Sequence, residues 1–188
     1  RIHTNVFTDV PALMDNLQRV ISHICKKSGS HPDENRSLQL VKTTDDSAYH
    51  VDEDGSFWRC FRYCRHKPAD THSVNPKLAL GAGRELGRFQ YLLSDFSGPP
   101  LHETIPGFHD LNIRLENLHL SIERNAGKRK DMAAGEIDII LSLEDEMLLV
   151  HRLGQEGKIP KRITHNDTKF NNFLFDAGGE PICLIDLD

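Results

Sequence analysis

Several things are scarce in this chain, and each scarcity removes a class of function. No apolar run approaches the ~20 residues of a membrane-spanning helix, so no membrane role is expected. Basic residues are not in excess: 23 Lys and Arg stand against 28 Asp and Glu, a formal charge of −5. Lys128-Arg129-Lys130 is the only basic run, set between Gly127 and Asp131, and it reads as a solvated loop. Nucleic acid is therefore not expected as the main partner. Cysteine is sparse. Cys25, Cys60, Cys64 and Cys183 show no zinc or redox spacing, and Cys60 and Cys64 are too far apart for a C-x-x-C pair. Cys183 lies in an apolar run and reads as a small core residue. Reduced thiols and a cytoplasmic protein follow, with no leader pattern at Arg1-Ile2-His3. The 11 histidines are scattered. His102 and His109 lack further ligands, so structural roles are expected for them.

What is present is concentrated near residue 188. Thr164-His165-Asn166-Asp167-Thr168-Lys169-Phe170-Asn171-Asn172 is followed by two short apolar runs, Phe173-Leu174-Phe175 and Ile182-Cys183-Leu184-Ile185. Between them Asp176-Ala177-Gly178-Gly179-Glu180-Pro181 is dense in turn formers. The pattern predicts an antiparallel hairpin. Its open end sets Asn172 beside Asp186, on strands about 4.8 Å apart. Two such side chains can converge on one hard cation of the Mg²⁺ type, which keeps waters and shares phosphate oxygens. Asp167 lies on the preceding loop, free to accept or orient the proton of an attacking hydroxyl. Lys169 is long enough to reach a transferring phosphoryl group. His165 reads as a brace for the loop backbone. Any one of these residues alone is more often a turn or cap. The joint pattern H-x-D-x-K-x-x-N, hairpin, I-D-x-D has the groups that phosphoryl transfer from a metal–nucleotide requires.

At these residues the chain resembles the catalytic loop of the kinase-like phosphotransferases, the superfamily of aminoglycoside phosphotransferases and choline kinases. Ile185-Asp186-Leu187-Asp188 resembles the small-molecule branch of that superfamily. The likeness is greatest to N-acetylhexosamine 1-kinase-like proteins. It extends to Asp9-Val10-Pro11-Ala12-Leu13-Met14-Asp15-Asn16 and to Leu101-His102-Glu103-Thr104-Ile105-Pro106-Gly107-Phe108-His109. The resemblance implies a catalytic base at Asp167 and a catalytic lysine at Lys169. It implies metal ligands at Asn172 and Asp186, with Asp188 as a further acid near the metal. It also implies ATP as co-substrate, Mg²⁺, and a small-molecule hydroxyl acceptor, with a sugar foremost.

Further elements are legible upstream. Residues 7–27 read as an amphipathic helix, with Thr8 or Asp9 as cap, Pro11 in the first turn and Gly29 past the end. Val10, Leu13, Leu17, Val20, Ile21 and Ile24 form its core face. Strands are expected at 38–43, 49–51 and 57–63, with a turn at Asp52-Glu53-Asp54-Gly55. Three helices follow, marked by Leu78 to Leu93, by Leu111 to Ile122, and by Ile137 to Leu148, all with core-type stripes. The stretch from Phe96 to His109 reads as a loop that could border a substrate pocket.

The expected fold class is α+β, a two-lobed protein-kinase-like fold that is incomplete in this chain. Residues 1–63 form part of the small, nucleotide-binding lobe, 64–77 the connection, and 78–188 part of a mainly helical large lobe. In the resembled fold the nucleotide meets the connection, which nominates Tyr63, and a phosphate-pairing cation precedes the first helix, which nominates Arg1. No Gly-rich phosphate loop is found, and no Glu stands on the first helix, where only Asp15 and Asn16 are near. A fragment of a longer kinase is expected. The acceptor-binding residues and the oligomeric state are not legible. A non-catalytic binding module on the same scaffold is the principal alternative, and a metal-dependent hydrolase the lesser one.

Overall fold

The computed structural model describes residues 1–29, 38–67 and 76–188. These form two compact units, one of residues 1–105 and 163–188, the other of residues 106–162.

The first unit is organised by helix α1, Val10–Ser28. Asp9 caps it by accepting from the Ala12 amide at 2.9 Å, Pro11 sits in the first turn, and Gly29 ends it at φ 62°. Both boundaries follow from local chemistry: a carboxylate satisfies an orphan N–H, and glycine accepts the left-handed C-cap without strain. The apolar face of α1 serves two clusters. Its first half buries Val10, Leu13, Met14 and Leu17 with Ile2 and Ala48, flanked by Phe57 and Phe61. Its second half buries Val20 and Ile24 with Ala82, Phe89 and Leu92 of α2, Pro76–Leu92, and with Phe173, Phe175 and Leu184. Leu187 packs against both clusters.

The expected upstream strands form, but as short pieces. β1 (Leu40–Val41) pairs antiparallel with β4 (Cys60–Phe61), and β2 (His50–Val51) with β3 (Phe57–Trp58). The expected strand at 38–43 stops early because Thr43 opens a turn, accepting the Ser47 amide on its hydroxyl at 2.9 Å. The expected turn at 52–55 is present. Asp52 accepts from the Ser56 amide at 2.8 Å and from the Trp58 indole at 2.7 Å. Ile2 joins this layer, its amide donating to the Phe57 carbonyl at 2.8 Å. Of the expected connection at 64–77, residues 68–75 lie outside the described residues. Lys67 pairs with Phe175.

Strands β5 (Phe173–Phe175) and β6 (Pro181–Leu184) form the expected hairpin, with Leu174 opposite Cys183 and a bulge between Leu174 and Phe175. Asp176 closes its turn by accepting from the Gly178 and Glu180 amides at 2.8 and 2.9 Å.

In the second unit α3 (Leu111–Arg124) is capped by Asp110 and ended by the left-handed Asn125. The single helix expected around Ile137–Leu148 is instead broken. A 3₁₀ turn at Asp131–Ala133 leads into α4 (Ala134–Ser142), α5 (Glu144–Met147) and α6 (Leu149–Gln155). Leu143, at φ −101° and ψ 0°, leaves helical geometry, and Glu144-Asp145-Glu146 favours a new helix start just after it. The apolar stripe expected there as core is only half-buried: Ile137, Ile140, Leu141 and Leu148 are partly covered, and no residue of these three helices is fully buried.

Candidate active site

The catalytic loop is built around a buried histidine. His165 points its Nε2 at the Ile185 carbonyl, 2.8 Å away, and its Nδ1 lies 3.3 Å from the Asp167 amide. A carbonyl can only accept and an amide N–H can only donate. The ring is therefore the neutral tautomer with the proton on Nε2. Phe89 meets this ring edge-on at 5.9 Å. His165 thus ties the loop to the far end of β6 and to α2, the bracing role expected of it. Asn166 turns the chain at φ 62°, a conformation that Asn tolerates.

Asp167 emerges from that turn half exposed. Asn172 is buried, and its Nδ2 donates twice to Asp167, to the backbone carbonyl at 2.8 Å and to Oδ2 at 3.1 Å. With both amide hydrogens engaged, the oxygen Oδ1 is the remaining donor atom of Asn172. The Ile185 amide donates to the Asn172 carbonyl at 2.9 Å, which extends the hairpin ladder by one step beyond β5 and β6. That bond sets Asn172 beside the start of Ile185-Asp186, the convergence expected from the hairpin.

Lys169 closes the group. Its Nζ lies 2.5 Å from Asp167 Oδ2 and 3.9 Å from Asp186 Oδ2. The lysine holds the Asp167 carboxyl below the ordinary carboxylate range, and Asp167 in turn raises the Lys169 ammonium. Asp167 is therefore a carboxylate at neutral pH, suited to accepting a hydrogen bond from a hydroxyl and orienting it. Asp186 is left-handed at φ 66°, and its carboxylate lies on the Lys169 side.

The sequence-nominated residues Asp167, Lys169, Asn172 and Asp186 thus gather at one end of the hairpin: Asn172 and Lys169 both contact Asp167, and Lys169 reaches toward Asp186. Asp188 is adjacent in sequence, but its Oδ2 pairs with Arg59 Nη2 at 2.5 Å. Tyr63 is exposed and rests against the His66 ring at 5.9 Å. Arg1 is exposed beside the Ile2–Phe57 pairing. Among the described residues no group of three or more His, Cys, Asp or Glu closes around one point. The donors near Asp186 are an amide oxygen and carboxylates. That set suits a hard cation sharing its shell with water and phosphate, not an all-protein cage.

A family model described as the phosphotransferase enzyme family (APH) matches residues 32–188, which includes the whole loop, hairpin and I-D-x-D segment. The chain belongs to this family. It is accordingly a phosphotransferase enzyme with a kinase-like α+β make-up of helices and small antiparallel sheets. Among the described residues no helix is long and apolar enough to cross a membrane.

Two features of this phosphotransferase were not legible in its sequence. Arg59, within a strand of mixed pattern, reaches Asp188 across 129 positions. Asp15 and Asn16, where a helix acid was sought, instead hold the loop after α2. Asn16 donates to the His102 carbonyl and accepts from the His102 amide, both at 2.8 Å. Asp15 meets His102 Nε2 at 3.2 Å, and Arg19 donates to the Pro99 and Pro100 carbonyls. The motif D-N on a helix carries no signal for a partner so far along the chain.

Proposed function

We propose that this phosphotransferase is an ATP- and Mg²⁺-dependent small-molecule kinase acting on a hydroxyl, in the N-acetylhexosamine 1-kinase-like group, with a sugar such as an N-acetylhexosamine as acceptor at its anomeric position. The observation that carries the reading is the contact set Asp167–Asn172–Lys169–Asp186 at the open end of one hairpin.

In this reading Asp167 orients the acceptor hydroxyl. Its lowered pKa makes it a weak proton acceptor, which suits a loose transition state in which the hydroxyl proton leaves late. Asn172 serves twice: its amide hydrogens fix Asp167, and its Oδ1 is a cation ligand. Asp186 is the second ligand. A Mg²⁺ ion held there would offset negative charge on the phosphate oxygens. Lys169 stands between Asp167 and Asp186, so an incoming phosphoryl oxygen would find an ammonium already in place. Positioning and charge complementarity of this kind account for most of the catalysis in phosphoryl transfer.

The lobe assignment belongs to the same proposal. Residues 1–63 form the nucleotide-side lobe, 64–77 the connection and 78–188 the acceptor-side lobe, with Tyr63 near the base and Arg1 near the phosphates. A cytoplasmic setting accords with the four free cysteines.

The test is ADP release by the purified protein with Mg·ATP across a panel of sugars, amino alcohols and aminoglycosides. Turnover highest on an N-acetylhexosamine, with a 1-phosphate product, supports the assignment. Preference for an amino alcohol or an aminoglycoside overturns the sugar assignment. Nucleotide binding without transfer to any acceptor overturns the kinase reading.

A further inference from the structure

Asp186 is a non-glycine residue in the left-handed region, at φ 66°. That conformation is unfavourable for most side chains and uncommon even for Asp, and it persists where the surroundings hold it. On its N-terminal side the hold is evident. Ile185 donates its amide to Asn172 and receives His165 on its carbonyl. On its C-terminal side Leu187 packs into both apolar clusters, and Asp188 is gripped by Arg59.

The Arg59–Asp188 pair differs from the surface ion pairs of this chain. Its side chains are only 17% and 15% exposed, whereas Lys169 and Asp167 are 55% and 48% exposed. Arg59 lies between β3 and β4, with its guanidinium 5.2 Å from the Phe61 ring. Its Nη1 is buried with no partner. Taking a guanidinium out of water with one nitrogen unsatisfied is unfavourable, so the pair is not explained by stability alone. A buried guanidinium held to a carboxylate through Nη2 does restrict where that carboxylate can lie.

We propose that Arg59 is a positioning residue: it pins Asp188, and through Asp188 it holds Asp186 in its left-handed conformation with the carboxylate facing Lys169. Asp188 is then the anchor of the segment and not a cation ligand. The proposal rests on reading Asp186 as the ligand, and the test separates the two.

Two readouts are taken on Arg59→Met, Arg59→Lys, Asp188→Asn and the double variant Arg59→Met/Asp188→Asn. One is amide hydrogen exchange of Ile185–Asp188 without metal or nucleotide. The other is Mn²⁺ binding with a non-hydrolysable ATP analogue, followed by electron paramagnetic resonance. Arg59→Met and Asp188→Asn should each speed exchange of the segment and weaken Mn²⁺ binding by about tenfold, the scale of lost outer partners of metal ligands. The double variant should be no worse than either single one, and Arg59→Lys should restore part of both. Unchanged exchange in Arg59→Met overturns the proposal. So does weaker Mn²⁺ binding in Asp188→Asn with none in Arg59→Met, which would make Asp188 a ligand. If Arg59→Met does not fold, Arg59→Lys and Asp188→Asn decide by the same two readouts. A wild-type protein that binds no Mn²⁺ overturns the cation reading of Asp186, and exchange still decides the anchor.

Discussion

Asn172 holds Asp167 at two points, donating to its backbone carbonyl at 2.8 Å and to its carboxylate at 3.1 Å. The residue that would supply an oxygen to the cation therefore also aims the residue that would orient the acceptor. One substitution should disturb both. Asn172→Ala should cost about 1–3 kcal/mol of stability, because a buried side chain is lost together with its two hydrogen bonds, and should lower kcat more than Lys169→Ala does. Urea unfolding and turnover measured on the same preparations check this. A variant with lost stability and intact turnover would separate the two roles.

The clamp of α1 on the loop after α2 is also a single-residue device. Asn16 satisfies both the amide and the carbonyl of His102, as a strand neighbour would. Asn16→Leu should free residues 99–105 and cost about 1–2 kcal/mol. Limited proteolysis should then cut this loop much faster than in the wild type. Equal cutting rates would mean that Arg19 and Asp15 suffice.

Acid sensitivity should be traceable to the hairpin turn. The amides of Glu180 and Gly178 hold the Asp176 carboxyl below its ordinary value of 3.8. A depressed folded-state pKa contributes stability that is complete above the ordinary value and is lost as pH falls through the folded value. Asp176→Ala should therefore be less stable than the wild type at neutral pH, and the gap in urea midpoint should close in strong acid. A gap that stays constant on acidification would contradict the assignment.

Local chemistry made much of this readable beforehand. The Asp9 cap, Pro11 and Gly29 mark α1, although the expected range 7–27 began it three residues before Val10, and the turn formers Asp176–Glu180 mark the hairpin. Asn172 and Asp186 fall together because a hairpin fixes which residues face each other at its open end. The long-range placements were not readable. Nothing local in Arg59 points to Asp188, and nothing in Asn16 points to His102. The helices of residues 134–155 misled for a related reason. Their apolar spacing is helical, but the break at Leu143 and the acidic start after it outweighed the periodicity.

The two buried thiols bear on each other. The neighbouring Cys183 thiol brings the Cys64 thiol down to about 6, while its own is pushed up. With Cys25 and Cys60 replaced by serine, the pH midpoint of Cys64 alkylation should lie near that value, and Cys183→Ala should raise it by removing the neighbouring thiol. The midpoint is the readout, since Cys64 is only 7% exposed and will react slowly. A midpoint unmoved by Cys183→Ala would show that His66 or the backbone sets it.

The central claim is that Asp167 and Asp186 perform phosphoryl transfer on a scaffold that does not depend on them. Both side chains are 48% exposed, so removing either carboxylate leaves no buried cavity. The most direct measurement is turnover of Asp167→Ala and Asp186→Ala with Mg·ATP and the best acceptor, alongside thermal unfolding of each. The account predicts that kcat falls by about 10²–10⁴ or more in each, with unfolding transitions close to the wild type. Near-normal turnover in either variant would contradict it.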